Sequence, residues 1–125
     1  MVYAGRHLTS KADQARLDWV HQQPCIACVL NEGRWLTTGM RVEAHHLVDG
    51  GYRKHSGGHQ ATLPLCLHHH RGVPLIGFTD KDMETAFGPS RELAHRRFIE
   101  VYGTDRELLA KVNLTHSDAA SASPS

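Results

Sequence analysis

The chain has 125 residues, which suffices for one domain and one core but not for two. Apolar residues make up 40% and aromatics 6%, beside 11 glycines and 5 prolines, so the core is thin and packing alone is not expected to hold it together. With 14 Lys and Arg against 13 Asp and Glu the formal charge is +1, which excludes a global positive field, so any contact with a polyanion has to be local.

In chain order, Thr9 or Ser10 is placed to cap a helix of about residues 10–21 carrying Ala12, Ala15, Leu17, Trp19 and Val20, and Pro24 interrupts it. Cys25-Ile26-Ala27-Cys28 follows as a tight knuckle. Asn31-Glu32-Gly33 reads as a turn into an extended segment of about 34–47 that ends in His45 and His46. The stretch 49–60 carries four glycines and no periodicity, so it reads as a loop, with Arg53, Lys54 and His55 as its cationic features. Residues 61–65 suit a short strand entering a helix that starts near Pro64 and carries Cys66 through Arg71, stopped by Gly72 and Pro74. The core is therefore strand, strand, helix over about 34–72.

Lys81 to Phe87 suits a short helix, and C-terminal helices are expected over about 90–113. Ser90 is placed to cap the first of these, which holds Leu93, Ala94, Phe98 and Val101 and ends at Gly103. Thr104 with Glu107 offers a capping box for the second, whose apolar side is Leu108, Leu109 and Val112. Residues 1–116 are expected to form a single α+β domain, and 117–125, small and polar, a disordered tail. No apolar run approaches the roughly 20 residues that span a bilayer, and the start lacks the order of a signal peptide, so a soluble cytoplasmic protein with no membrane partner is expected.

The compositional anomaly is histidine: of 11, eight fall between His45 and His95. Three cysteines leave one over from any disulfide scheme, whereas thiolates joined by an imidazole close a tetrahedral zinc site. Cys25-x-x-Cys28 and Cys66-x-x-His69 supply those four ligands and would staple the knuckle to the later helix as a structural site, with no position left for water. Buried reduced cysteines are the plainer alternative. The second constellation is His45-His46 at a strand end with His70 on the helix. His45 and His70 would bridge strand and helix to grip a second cation, magnesium or manganese, with zinc as an alternative. His46 beside them suits a general base, because imidazole titrates near neutral pH.

EAHHL and HQATLPLCLHHHRG, preceded by CIAC, resemble the HNH (ββα-metal) endonuclease superfamily. More narrowly PCIAC, AHH, TLPLCxxHHxG and FIEVYGTDRELL resemble the bacteriophage RecA-dependent recombination-enhancement nucleases over roughly residues 15–112. The resemblance implies a small zinc-stapled ββα-metal domain with flanking helices that hydrolyses DNA phosphodiesters, His45 and His70 holding the catalytic metal and His46 acting as base. It further implies DNA engaged by a recombinase filament as substrate and, for a phage protein, the host cytoplasm as its place.

Two departures from the pattern stand out. Ala61 lies where the superfamily commonly has asparagine, which makes His59 the candidate for holding His46. The run His68-His69-His70 spreads over helix faces about 100° apart, and a slip of one residue would hand the zinc to His68 and the catalytic metal to His69. A third ligand to the catalytic ion is sought among His59, Asp49 and His95. Arg53, Lys54, His68, Arg96 and Arg97 are candidate DNA contacts, the last two beside Arg91 and His95. The competing function is a non-catalytic zinc-bearing nucleic-acid binding module.

Overall fold

In the computed structural model, which describes residues 11–47 and 61–122, a helix Lys11–His21 (α1) leads through Pro24 into a single helical turn, Ile26–Leu30 (α2). Two strands follow, Val42–His46 (β1) and Thr62–Cys66 (β2), and then a five-residue helix Leu67–Arg71 (α3). Three further helices close the described chain: Asp80–Phe87 (α4), His95–Tyr102 (α5) and Asp105–Ala122 (α6). Thr9, Ser10, Asp49, Arg53, Lys54, His55 and His59 lie outside the described residues.

β1 and β2 pair antiparallel with Val42 opposite Cys66, His45 opposite Leu63 and His46 opposite Thr62. Because side chains alternate along a strand, Glu43 and His45 share a face with Leu65 and Leu63, while Ala44 and His46 share the other with Pro64 and Thr62. Pro64 is tolerated because each strand of a two-stranded sheet is an edge. α1 lies on the Thr62 side, where the buried Arg16 donates to Thr62 Oγ1 at 3.2 Å and to the Thr62 carbonyl at 2.7 Å. All of β2 is buried, and Leu63 and Leu65 join Leu47, Phe98, Tyr102, Leu108 and Val112 in one apolar cluster with the three cysteines. Burying each such leucine contributes about 2 kcal/mol, modest for a chain of this size.

Several expectations shift. The extended segment of 34–47 shortens to β1, because its start is drawn away: the Asn31 carbonyl accepts from Arg34 and Trp35 in a turn, Leu36 N–H donates to the Ala86 carbonyl, and residues 36–41 form no regular element. The helix after β2 starts at Leu67 rather than near Pro64, since Pro64 is paired in the strand and Cys66 is the extended residue that caps α3. Ser90 caps a turn, accepting from Leu93 N–H at 3.0 Å, and α5 begins only at His95. The Thr104–Glu107 capping box is present, but α6 runs on to Ala122, so the helix claims residues 117–122 that were expected in the tail. Alanine, abundant there, is the strongest helix former.

Gly72 ends α3 in the left-handed conformation, φ 73°, its N–H donating to His68 and the next N–H, of Val73, to Leu67. A Cβ at Gly72 would sit 2.7 Å from the Leu93 side chain, so both backbone and space require glycine there.

Candidate functional site

α3 presents three consecutive histidines, and the 100° step between neighbours sends each ring to different surroundings. His69 points at sulfur. Its Nδ1 stands 3.5 Å from Cys25 Sγ, 3.6 Å from Cys28 Sγ and 3.3 Å from Cys66 Sγ, and all four residues are buried. Metal bonds of about 2.3 Å to sulfur and 2.0–2.1 Å to nitrogen at a tetrahedral angle put S and N about 3.6 Å apart. The cluster therefore fits a zinc ion as it stands. Burial drives the Cys25 thiol pKa well up, while hydrogen bonds from Cys25 and Cys28 pull that of Cys66 far down. Burial alone would lower the pKa of His69, yet the sulfurs raise it to about 9. Groups so placed need positive charge among them, which a divalent cation supplies to thiolates and a neutral ring.

The ring is locked from behind. His69 Nε2–H donates to the Phe87 carbonyl at 2.9 Å, leaving the Nδ1 lone pair for the metal. Asn31 donates to the same carbonyl at 2.8 Å and accepts from the Tyr102 hydroxyl, so α2, α4 and α5 all brace one imidazole. The Tyr102 hydroxyl also lies 3.4 Å from His69 Nε2 itself, and neither Asn31 nor Tyr102 is foreshadowed by ligand spacing, since both reach the ring from positions distant in sequence.

His70 meets His45. His45 Nδ1 and His70 Nε2 face each other at 3.3 Å, while the outer nitrogen of each ring contacts a carboxylate: His45 Nε2 lies 3.1 Å from Asp105 and His70 Nδ1 lies 2.9 Å from Glu43. Arginines clamp both carboxylates with two hydrogen bonds each. Arg91 holds Asp105 at 2.9 and 3.1 Å, and Arg71 holds Glu43 at 2.8 and 2.9 Å. Burial would raise the Asp105 pKa, but hydrogen bonds from His45 and Arg91 prevail and hold it at about 2. Burial likewise opposes, and His70 and Arg71 enforce, a lowered pKa at Glu43. The His70 pKa is lowered, chiefly by burial.

Both carboxylates thus stay ionised and accept the outer ring protons, which leaves bare lone pairs on the two facing nitrogens. Two nitrogens bound to one ion at 2.0–2.1 Å stand about 2.9 Å apart at a right angle and about 3.4 Å apart at a tetrahedral one. The 3.3 Å separation falls in that interval.

The remaining candidates are scattered. His46 is half-buried at the end of β1, on the opposite face from His45 and beside Thr62, so regular pairing does not bring its ring into the His45–His70 contact. His68 is buried and its Nε2 lies 2.8 Å from the Gly88 carbonyl. Arg96 and His95 are exposed on α5, and Arg97 forms an ion pair with Glu84. Glu43, Arg71, Arg91 and Asp105 were missed as supports of the histidine pair. Glu43 was open to discovery, because it lies two strand positions before His45 and so on the same face. Asp105 looked like an ordinary acidic residue in a first helical turn.

Among the described residues no helix is long and apolar enough to cross a membrane. A family model described as "Recombination enhancement, RecA-dependent nuclease" matches residues 9–115. No curated protein and no solved structure matches the chain.

Proposed function

Because the chain belongs to the recombination-enhancement, RecA-dependent nuclease family, we propose that it is an HNH-type DNA endonuclease, with His45 and His70 holding a catalytic divalent cation and the Cys25/Cys28/Cys66/His69 cluster holding a structural zinc. The observation that carries this reading is the pair of bare imidazole nitrogens facing at 3.3 Å, each ring fixed from behind by a carboxylate. Carboxylate-backed histidines are the usual way proteins orient and strengthen metal ligands. Imidazole ligation favours zinc, while positions left for water and phosphate oxygens suit magnesium or manganese.

His45 and His70 would hold the cation, which when bound would supply polarisation of a nonbridging phosphate oxygen and offset charge on the leaving oxygen. The protein's part is positioning and proton transfer. His45 and His70 present the ion at the junction of strand and helix. His46 occupies the last position of β1, next in the chain to His45, and in this reading it serves as the base that removes a proton from water. The water oxygen forms a new bond to phosphorus, the bond to the departing sugar oxygen breaks, and that oxygen takes up a proton. We assign His59 to orienting His46, and Arg53, Lys54, Arg96 and the partly engaged Arg97 to the DNA backbone. The low aromatic content and charge of +1 favour backbone contacts over base readout at that surface.

The family description extends the proposal to DNA engaged by a recombinase filament. Plasmid nicking in magnesium or manganese tests the chemistry: His46→Ala is expected to keep zinc and fold and to lose cleavage. Equal nicking by the variant contradicts the base assignment, and no nicking of any DNA form by the wild type leaves a zinc-bearing binding module instead. Cleavage of a strand-invasion substrate that is indifferent to recombinase removes the partner.

A further inference from the structure

Behind the two facing imidazoles stand two clamps of one kind, an arginine fork on a carboxylate, and they differ in exposure and in charge. The Asp105 clamp is closed. Its carboxylate side chain is 4% exposed and that of Arg91 17%, and one guanidinium meets one carboxylate. The Glu43 clamp is open and carries a second arginine. The Arg71 side chain is 51% exposed and that of Arg41 69%, and Arg41 Nη2 stands 3.7 Å from the Glu43 Oε2 that accepts from Arg71 Nη2 at 2.8 Å.

Glu43 is held without Arg41. Its Oε1 already accepts from His70 Nδ1 and from Arg71 Nε, each at 2.9 Å, and its Oε2 from Arg71 Nη2. An exposed ion pair as long as that of Arg41 adds little to stability. What Arg41 adds is charge: two guanidiniums on one carboxylate leave the Glu43 flank positive, whereas the Asp105 flank is balanced. Among the described residues neither Arg41 nor Arg71 pairs with any other carboxylate.

Donors are left over as well. Arg71 gives its Nε–H and one Nη2–H to Glu43, so both N–H groups of Nη1 stay available to a ligand, in the planar fork that suits phosphate oxygens. The backbone fixes both residues at the candidate active site. Arg71 ends α3 next to His70, and the carbonyl of Arg41, just before β1, accepts from Leu67 N–H at the start of α3 at 3.2 Å. Glu43 lies behind the His70 ring, so one ring and one carboxylate separate the two arginines from the facing nitrogens.

We propose that Arg41 and Arg71 together grip a backbone phosphate of the DNA strand, next to the phosphate that lies at His45 and His70. The inference rests on the nuclease reading for its choice of polyanion, and it gives the strand a path, over the open Glu43 flank rather than the buried Asp105 flank. In a chain whose formal charge is only +1, a local excess of this kind is what a backbone contact requires. The two arginines stand thirty positions apart in the chain, and only the pairing of β1 with β2 and the turn into α3 bring them to one carboxylate.

The test is DNA binding across a salt series by the full-length zinc-loaded protein without added magnesium or manganese, with a short labelled duplex and with its single strand. Arg41→Gln is expected to weaken binding several-fold whatever the sequence, and to flatten the slope of log affinity against log salt by about one for the duplex. Arg41→Gln with Arg71→Gln is expected to flatten it by about two. Arg34→Gln removes the same charge from an exposed residue in the turn after α2 and is expected to keep the wild-type slope. Zinc content and melting report the fold of each variant, and Arg41→Gln, at an exposed side chain, decides the matter should the double variant unfold. A wild-type slope in Arg41→Gln overturns the proposal. Equal flattening by Arg34→Gln also overturns it, since the attraction is then diffuse. In both cases the wild type still binds DNA and the nuclease reading stands, whereas absence of wild-type binding to either form of DNA sinks both.

Discussion

The Cys25/Cys28/Cys66/His69 cluster and the His45/His70 pair share one helical turn, yet they are built in opposite ways. In the first, the candidate ligand atoms lie within 4.8 Å of one another, all four residues are buried, and the remaining ring nitrogen is tied to a backbone carbonyl, so four protein ligands would fill a tetrahedral ion with no position left for water. In the second, His45 is buried but His70 is half-exposed, and charged carboxylates rather than carbonyls stand behind the rings. A closed thiolate cage invests its metal in holding the chain together. Two imidazoles backed by carboxylates, one of them partly exposed, suit instead an ion that would keep positions for substrate and water.

The sharpest separation between the two comes from Cys66→Ser. Structural zinc in small domains contributes on the order of 10 kcal/mol, more than a core this thin can replace, so the variant is expected to lose its cooperative thermal transition along with its zinc. Next is His45→Ala, which strips a buried partner from Asp105 and is expected to lower the melting temperature by a few degrees, leave zinc at one equivalent, and lower cleavage by about a thousandfold or more, read from plasmid nicking rates. Were both substitutions to unfold the chain equally, the contrast between a structural and a functional centre would be lost.

A smaller effect is expected for Asp105→Asn, which weakens the clamp behind His45: roughly 10- to 100-fold in metal affinity or rate. The same variant reports on acid stability. The folded pKa of Asp105, about 2, lies below its ordinary 3.8, so its stabilisation is present above pH 4 and fades as pH falls toward 2. The wild type is thus expected to exceed Asp105→Asn by about 2 kcal/mol in urea unfolding of the zinc-loaded protein at pH 7. The smallest effect belongs to Gly72→Ala, expected to cost about 1–2 kcal/mol in melting through the left-handed backbone and the Leu93 contact. If cleavage falls further than stability there, the end of α3 sets the aim of His70.

These two centres also differ in how much of each could be read from the chain alone. The x-x spacing of Cys25/Cys28 and Cys66/His69 is local and chemically specific, and the hairpin-then-helix order follows from turn residues and apolar runs. His45 and His70 were legible as a pair from residue type and element, and their rings do meet, at 3.3 Å. Their supports were not, because Asp105 and Arg91 reach them from helices and turns some sixty and forty-five residues away in the chain, and no local pattern marks an aspartate in a first helical turn as a histidine's partner. The start of α5 was misplaced for a related reason: Ser90 does cap, but it caps a turn that Arg91 N–H pins to the His69 carbonyl at 2.8 Å, a tertiary bond outweighing local preference. His46 shows the limit of motif reading, since strand alternation separates it from its neighbour more than adjacency in the chain suggests.

The most direct measurement of the central claim is calorimetric titration of the zinc-loaded protein with manganese. One further ion per chain is expected to bind, with that binding abolished in His45→Ala and in His70→Ala while zinc stays at one equivalent. Unchanged manganese binding in both variants, accompanied by intact cleavage, would contradict the assignment of a second cation to the facing imidazoles.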